Sequence, residues 1–169
     1  DYVPWESTEK KQDNLNQLKQ YHKEMGWSLL TNEHSVVEIN GKSVGIIGVE
    51  NYSTHMRFPK YGKLKESFAG VEKTDLKLLL SHDPSHWSHE VVTEFKEIAI
   101  TFSGHTHGFQ FGVEIPGIIQ WSPIQYVYKQ WAGLYKKGNQ MLYVNRGLGH
   151  LGYPGRVGIL PEVTLIEIV

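Results

Sequence analysis

The chain has 169 residues, a formal net charge of −1 and 40 % hydrophobic residues, enough for one domain with a sizeable core. There is no basic excess to suggest nucleic acid by electrostatics alone, and no run approaches the roughly 18 apolar residues of a membrane span. Cysteine is absent, which excludes disulfides and thiolate zinc sites and agrees with a reducing compartment.

No signal-peptide pattern is visible. The chain starts at Asp1 without a methionine, which suggests a processed or truncated product. Asp1 to Glu6 reads as an irregular lead-in around Pro4 and Trp5. A helix is expected from Ser7 or Thr8 to Met25, stopped by Gly26, with Leu15, Leu18, Tyr21 or His22, and Met25 forming one buried stripe. Ser35 to Ile39 and Val44 to Val49 are β-branched runs joined by Asn40-Gly41, the strongest short-range hairpin signal. Asn51 to Gly70 reads as a long loop or irregular helix.

Asp75 to Leu80 is a buried-type strand, Trp87 to Lys96 is helical, and Ile98 to Phe102 is the next strand. This is a βαβ unit, so the two strands should be parallel. The runs Lys77 to Leu80 and Ile98 to Phe102 are of the kind that parallel sheets bury on both sides. From Phe109 to Lys137 the chain is aromatic and interrupted by Pro116, Pro123 and glycines. Lys137-Gly138-Asn139 reads as a turn, and Met141 to Val144 and Val163 to Ile168 as two further strands.

Both apolar runs of the βαβ unit end in histidine. Leu80-Ser81-His82-Asp83-Pro84 follows the first, and Gly104-His105-Thr106-His107-Gly108 the second. Ligands in such units bind beyond the carboxyl ends of the strands, where His82, His105 and His107 all fall. Neutral imidazoles suit zinc, manganese, iron or nickel. His105 and His107 flank one residue, so they can serve one ion or two. His22, His34, His55, His86 and His89 are read as ordinary histidines, the last two on the exposed start of a helix. Asp83 is read as a capping or turn residue.

The stretch Gly104-His105-Thr106-His107-Gly108-Phe109-Gln110 resembles the G-H-T-H-G-G-Q signature of calcineurin-like metallophosphoesterases, with Phe109 where the family usually has glycine. His82 in Leu80-Ser81-His82-Asp83-Pro84 resembles the isolated ligand histidine that precedes that signature. Val144-Asn145-Arg146-Gly147-Leu148-Gly149, with Pro154, Arg156 and Pro161-Glu162, is similar to the C-terminal pattern of a bacterial branch. The resemblance runs from Gly26 onward. It implies an α/β fold, the C-terminal part of a two-sheet αββα sandwich, and a two-metal phosphohydrolase in which divalent ions clamp a phosphoester and activate water. His82 and His105 would ligate one ion and His107 the other. His150 and Arg156 are candidates to face the phosphate.

The family's D-x-H, G-D-x-x-D and G-N-H-D/E motifs are not complete in this chain. The expectation is therefore a single domain, residues 1–169, that is the C-terminal portion of a longer metallophosphoesterase and is inactive alone. The alternatives are a catalytically inactive metal-binding or scaffold domain, and a nuclease of the same superfamily. Uncovered apolar surface leads to an expectation of self-association or marginal stability. Location is left open between cytoplasmic and membrane-associated through an upstream segment, and the substrate is specified no further than a phosphoester.

Overall fold

Helix, hairpin and crossover unit are all legible as local signals, and their assembly places the histidine loops. A computed structural model of the chain describes residues 7–55 and 58–168, so the lead-in over Asp1 to Glu6 lies outside the described residues. Helix α1 (Thr8–Glu24) starts where Ser7 accepts a hydrogen bond from the Lys10 amide at 3.4 Å. It stops before Gly26, whose φ of 72° is the left-handed conformation that glycine takes without penalty. The expected buried stripe does not form. No α1 residue is buried, and Leu15, Leu18, Tyr21 and Met25 are 41 %, 52 %, 49 % and 50 % exposed. The helix stands on local terms instead: its cap, and side-chain hydrogen bonds four residues apart from Gln12 to Asn16, Gln17 to Tyr21 and Gln20 to Glu24.

Strands β1 (Glu33–Ile39) and β2 (Lys42–Gly48) form the expected hairpin. Asn40 and Gly41 have φ of 52° and 74°, the paired positive values that a two-residue hairpin turn requires. Among its described residues the long segment after it contains one short helix, α2 (Leu64–Phe68). Strand β3 (Leu76–Leu80) pairs parallel with β2 and with β4 (Ile100–Ser103), so the expected βαβ crossover is present. Its helical part is shorter than 87–96. A single π turn over Trp87–Val91 runs into α3 (Val92–Glu94), and Phe95 leaves the helix at φ −120°, ψ 59°.

Strands β5 (Val113–Ile115) and β6 (Ile119–Trp121) make a separate antiparallel pair. Strands β7 (Gly133–Lys137) and β8 (Gln140–Val144) form a hairpin through the turn at Gly138-Asn139, and β8 lies parallel to β4. The result is an α/β fold with a mixed six-stranded sheet, ordered β1-β2-β3-β4-β8-β7, and a small two-stranded sheet. The expected strand over Val163 to Ile168 does not form. Val163 and Leu165 are 82 % and 95 % exposed, and side chains hold this stretch where a ladder would: Asn145 Nδ2 donates to Thr164 Oγ1 at 2.8 Å, and the Tyr143 hydroxyl donates to Glu162. A β-branched run without a neighbouring strand gains no pairing from its propensity.

The sheet's two faces are unequal. Ile47, Leu79, Leu142 and Val144 are fully buried with Leu64, Phe68, Trp87 and Val91, under α2 and the helical crossover. On the opposite face Leu78 and Phe102 are only half-buried and Leu80 is 44 % exposed. Burial of these runs on both sides is thus not realised among the described residues. No described helix is long and apolar enough to cross a membrane.

Candidate metal centre

Parallel pairing of β3 with β4 brings the loops that follow them to one edge of the sheet. The Gly104 amide donates to the His82 carbonyl at 2.9 Å, locking loop to loop. The imidazoles of His82 and His105 meet edge to face, with ring centroids 5.2 Å apart and planes at 87°. A Cβ at position 104 would lie at ordinary contact distance from this junction, 3.7 Å from the Asn145 carbonyl oxygen and 3.9 Å from His82 Nδ1.

The loop carrying His105 and His107 is wound against its own preferences. His105, His107, Phe109 and Gln110 have φ of 70°, 51°, 57° and 58°, all in the left-handed region that non-glycine residues rarely enter. Such strain persists only where surroundings over-determine it. Here Thr106 Oγ1 donates to the Trp131 carbonyl at 2.7 Å, and Gln110 Nε2 donates to the carbonyls of Tyr153 and Gly155 at 2.6 and 2.7 Å. Gly108 (φ 58°) fits because a Cβ would come within 2.7 Å of the buried Ile159.

Electrostatics keep these imidazoles neutral, the form that ligates a metal. Loss of solvation and the neighbouring His105 and His107 push His82 down to about 4, although Asp83 pulls the other way and the residue is exposed at the surface. His105 is lowered by burial, with Asp83 opposing and His107 and His55 adding. His107 is lowered by burial and by the Arg156 guanidinium, with Gly149 opposing and His150 adding.

Asp83 is fully buried. Its Oδ1 accepts from the Ser85 amide at 2.8 Å, the expected turn role. Its Oδ2 accepts from the Tyr128 hydroxyl at 3.1 Å, and that hydroxyl lies 2.8 Å from His105 Nε2. Burial raises the Asp83 pKa, but hydrogen bonds from Ser53 and Ser85 and the proximity of His105 outweigh it and leave the carboxyl below its usual range. Phe58 and His55 complete the surround, Phe58 edge-on to His105 at 4.7 Å and His55 against Tyr128 at 4.5 Å. Nothing in the sequence marks Tyr128, Phe58 or His55 as neighbours of His105.

The structure brings His82 and His105 together, with His107 within electrostatic reach of His82. Among the described residues His107 Nδ1 is buried without a hydrogen-bond partner, a ring nitrogen held out of water with nothing to satisfy it. Among the described residues no group of three His, Asp or Glu side chains is close enough to hold an ion unaided. His150 is exposed, in a shallow concavity with Leu148, Pro154 and Arg156. Arg156 donates through Nη1 to the His107 carbonyl at 3.2 Å and through Nη2 to the carbonyls of Arg146, Gly147 and Gly149 at 2.9, 3.1 and 2.7 Å. His86, expected on an exposed helix start, is instead completely buried. Both its nitrogens are satisfied, by Ser81 Oγ and Glu90 Oε2 at 2.8 Å each, and Tyr52 stacks on it at 4.1 Å.

Comparison with known proteins gives related sequences. The chain is 29 % identical to the uncharacterized metallophosphoesterase YkoQ of Bacillus subtilis, over 94 % of this chain and 55 % of that protein. It is 35 % identical to the uncharacterized metallophosphoesterase YkuE of the same organism, over 54 % of this chain and 30 % of that protein. A transmembrane protein with metallophosphoesterase domain from Danio rerio is 28 % identical over 85 % of this chain and 33 % of its own length. The chain thus spans about half or less of the curated relatives it matches. No family model and no solved structure matches.

Proposed function

We propose that this chain, which belongs to the calcineurin-like metallophosphoesterase superfamily, supplies His82, His105 and His107 to a divalent-metal centre that hydrolyses a phosphoester. The observation that carries the reading is the edge-to-face approach of the His82 and His105 rings at 5.2 Å, beyond adjacent parallel strands. His107 Nδ1, buried and without a hydrogen-bond partner among the described residues, supports it, because a metal ion would satisfy its lone pair.

The donor set fits zinc, manganese, iron or nickel in kind, since neutral imidazoles suit these ions. It does not close a site alone: among the described residues no group of three potential ligands converges. The carboxylates of the D-x-H and G-D-x-x-D motifs, incomplete in this sequence, are the natural complement. Divalent ions held there by His82, His105 and His107 together with such carboxylates would supply Lewis-acid charge for a phosphoryl group and an activated water. This chain's own part is to hold the imidazoles neutral and oriented, and to keep Asp83 behind them. A chain lacking the carboxylate ligands is then inactive by itself.

The test is hydrolysis of a generic phosphomonoester and phosphodiester with manganese, by the protein at its full natural length and by the 169-residue chain. The full-length protein should turn over and should lose at least about 100-fold in kcat/KM on His105→Ala or His82→Ala. The chain alone should be far slower. Full activity after either substitution would refute the assignment.

A further inference from the structure

Tyr128 sits between an acid and a base. Its hydroxyl oxygen is 3.1 Å from Asp83 Oδ2 and 2.8 Å from His105 Nε2, while Asp83 and His105 are themselves 3.7 Å apart, too far for a direct hydrogen bond. The direction of each bond follows from what each group can donate. Asp83 already accepts from the Ser85 amide, and an ionised carboxylate has no proton to give. The Tyr128 O–H must therefore point at Asp83. The phenol oxygen is left with lone pairs only, so the bond to His105 has to be donated by Nε2–H. A neutral imidazole protonated on Nε2 carries its lone pair on Nδ1.

The three groups are held in place. Asp83 is fully buried and Tyr128 is 6 % exposed. The Tyr128 amide donates to the Ile124 carbonyl at 2.8 Å, and its ring packs on His55. Phe58 closes on the His105 ring at 88° to its plane, restricting rotation about the Cβ–Cγ bond.

We infer that Tyr128, backed by Asp83, is a positioning residue that fixes His105 as the Nε2-protonated tautomer and presents Nδ1 to the metal. This rests on the reading of His105 as a ligand. Partners that orient a ligating imidazole set both its tautomer and its basicity, and losing one costs roughly 10–100-fold in metal affinity.

The test uses the full-length protein, stripped of metal and labelled with 15N at histidine. Long-range proton–nitrogen spectra report which ring nitrogen of His105 bears the proton. The wild-type protein should show the proton on Nε2. Tyr128→Phe removes one oxygen, and should convert His105 to a mixture of tautomers and weaken zinc binding about 10–100-fold by calorimetry. A wild-type His105 protonated on Nδ1 would overturn the inference whether or not the variant folds, as would an unchanged tautomer in Tyr128→Phe. Zinc added to the wild-type protein separates this result from the parent reading. If the His105 and His82 signals do not respond to zinc, the metal centre fails while the tautomer result still stands on its own.

Discussion

The Arg156 guanidinium donates to the main-chain carbonyl of His107, across 49 residues of sequence. The same group reaches three carbonyls between Arg146 and Gly149. It thereby fastens the glycine-rich loop after β8 to the loop after β4. Planar geometry with several fixed donors is what allows one side chain to satisfy four acceptors, and lysine has no equivalent. Arg156→Lys should therefore free residues 146–150, seen as faster amide hydrogen exchange there, and lower stability by about 1–3 kcal/mol. Unchanged exchange in that loop would show that the clamp does not hold it.

Phe109 is 57 % exposed and has a φ of 57°. Left-handed backbone costs a non-glycine residue roughly 1–2 kcal/mol, whereas glycine adopts it freely. Phe109→Gly loses little packing and should be neutral to stabilising by about 1 kcal/mol, after the greater entropy of a glycine in the unfolded chain is subtracted. Phe109→Ala keeps the strain and should not stabilise. Denaturant unfolding of the two variants side by side decides it, and equal midpoints would remove backbone strain as the explanation.

His86 gives stability a pH dependence. Burial lowers its pKa in the folded protein, although Glu90 opposes this. In the unfolded chain it titrates near 6.5, so below that pH the unfolded state binds a proton that the folded state refuses. Stability should fall as pH drops below about 6.5, and should keep falling until the folded-state pKa is passed. Each unit of lowering is worth about 1.4 kcal/mol. His86→Gln should flatten this slope between pH 7 and 5, whatever it does to stability at pH 7. Parallel urea titrations of both proteins over that range measure it, and identical slopes would exclude His86 as the source.

The 169-residue chain by itself should self-associate. Leu18 and Tyr21 lie exposed on α1 and Met25 at its C-cap, Val36 and Ile39 on edge strand β1, and Leu80 on the half-covered sheet face. Exposed apolar surface beside an open edge favours association. Light scattering should give a mass above the monomer at micromolar concentration, reduced by Leu18→Glu with Tyr21→Glu. A cooperative monomer of unchanged stability would contradict this.

Local signals in the sequence carried the parts of the fold that are locally determined. Asn40-Gly41 demands paired positive φ values, and the hairpin is there. Apolar runs ending at His82 and before His105 are adjacent parallel strands. What could not be read depends on distant closure. Tyr128 meets Asp83 across 45 residues, and the aromatic stretch that delivers it has no periodicity to follow. Helical spacing on α1 describes a stripe but not whether anything covers it. Val163 to Ile168 has strand composition without a strand beside it among the described residues, and His86 looks like a surface residue until Ser81 and Glu90 are seen to satisfy it.

Strands β4 and β8 are neighbours in the sheet, yet residues 104–139 lie between them. Hairpins such as β1–β2 and β7–β8 can zip locally, but the β4–β8 ladder must wait for a long loop to be closed, at an entropy cost that later contacts repay. His105 and Tyr128 both lie inside that loop. The contact of His105 with Tyr128 is therefore expected to form in the same event that completes the sheet. Amides at Thr106 and Tyr128 should then exchange no more readily than those of β8, and a lesion that slows closure should delay both together.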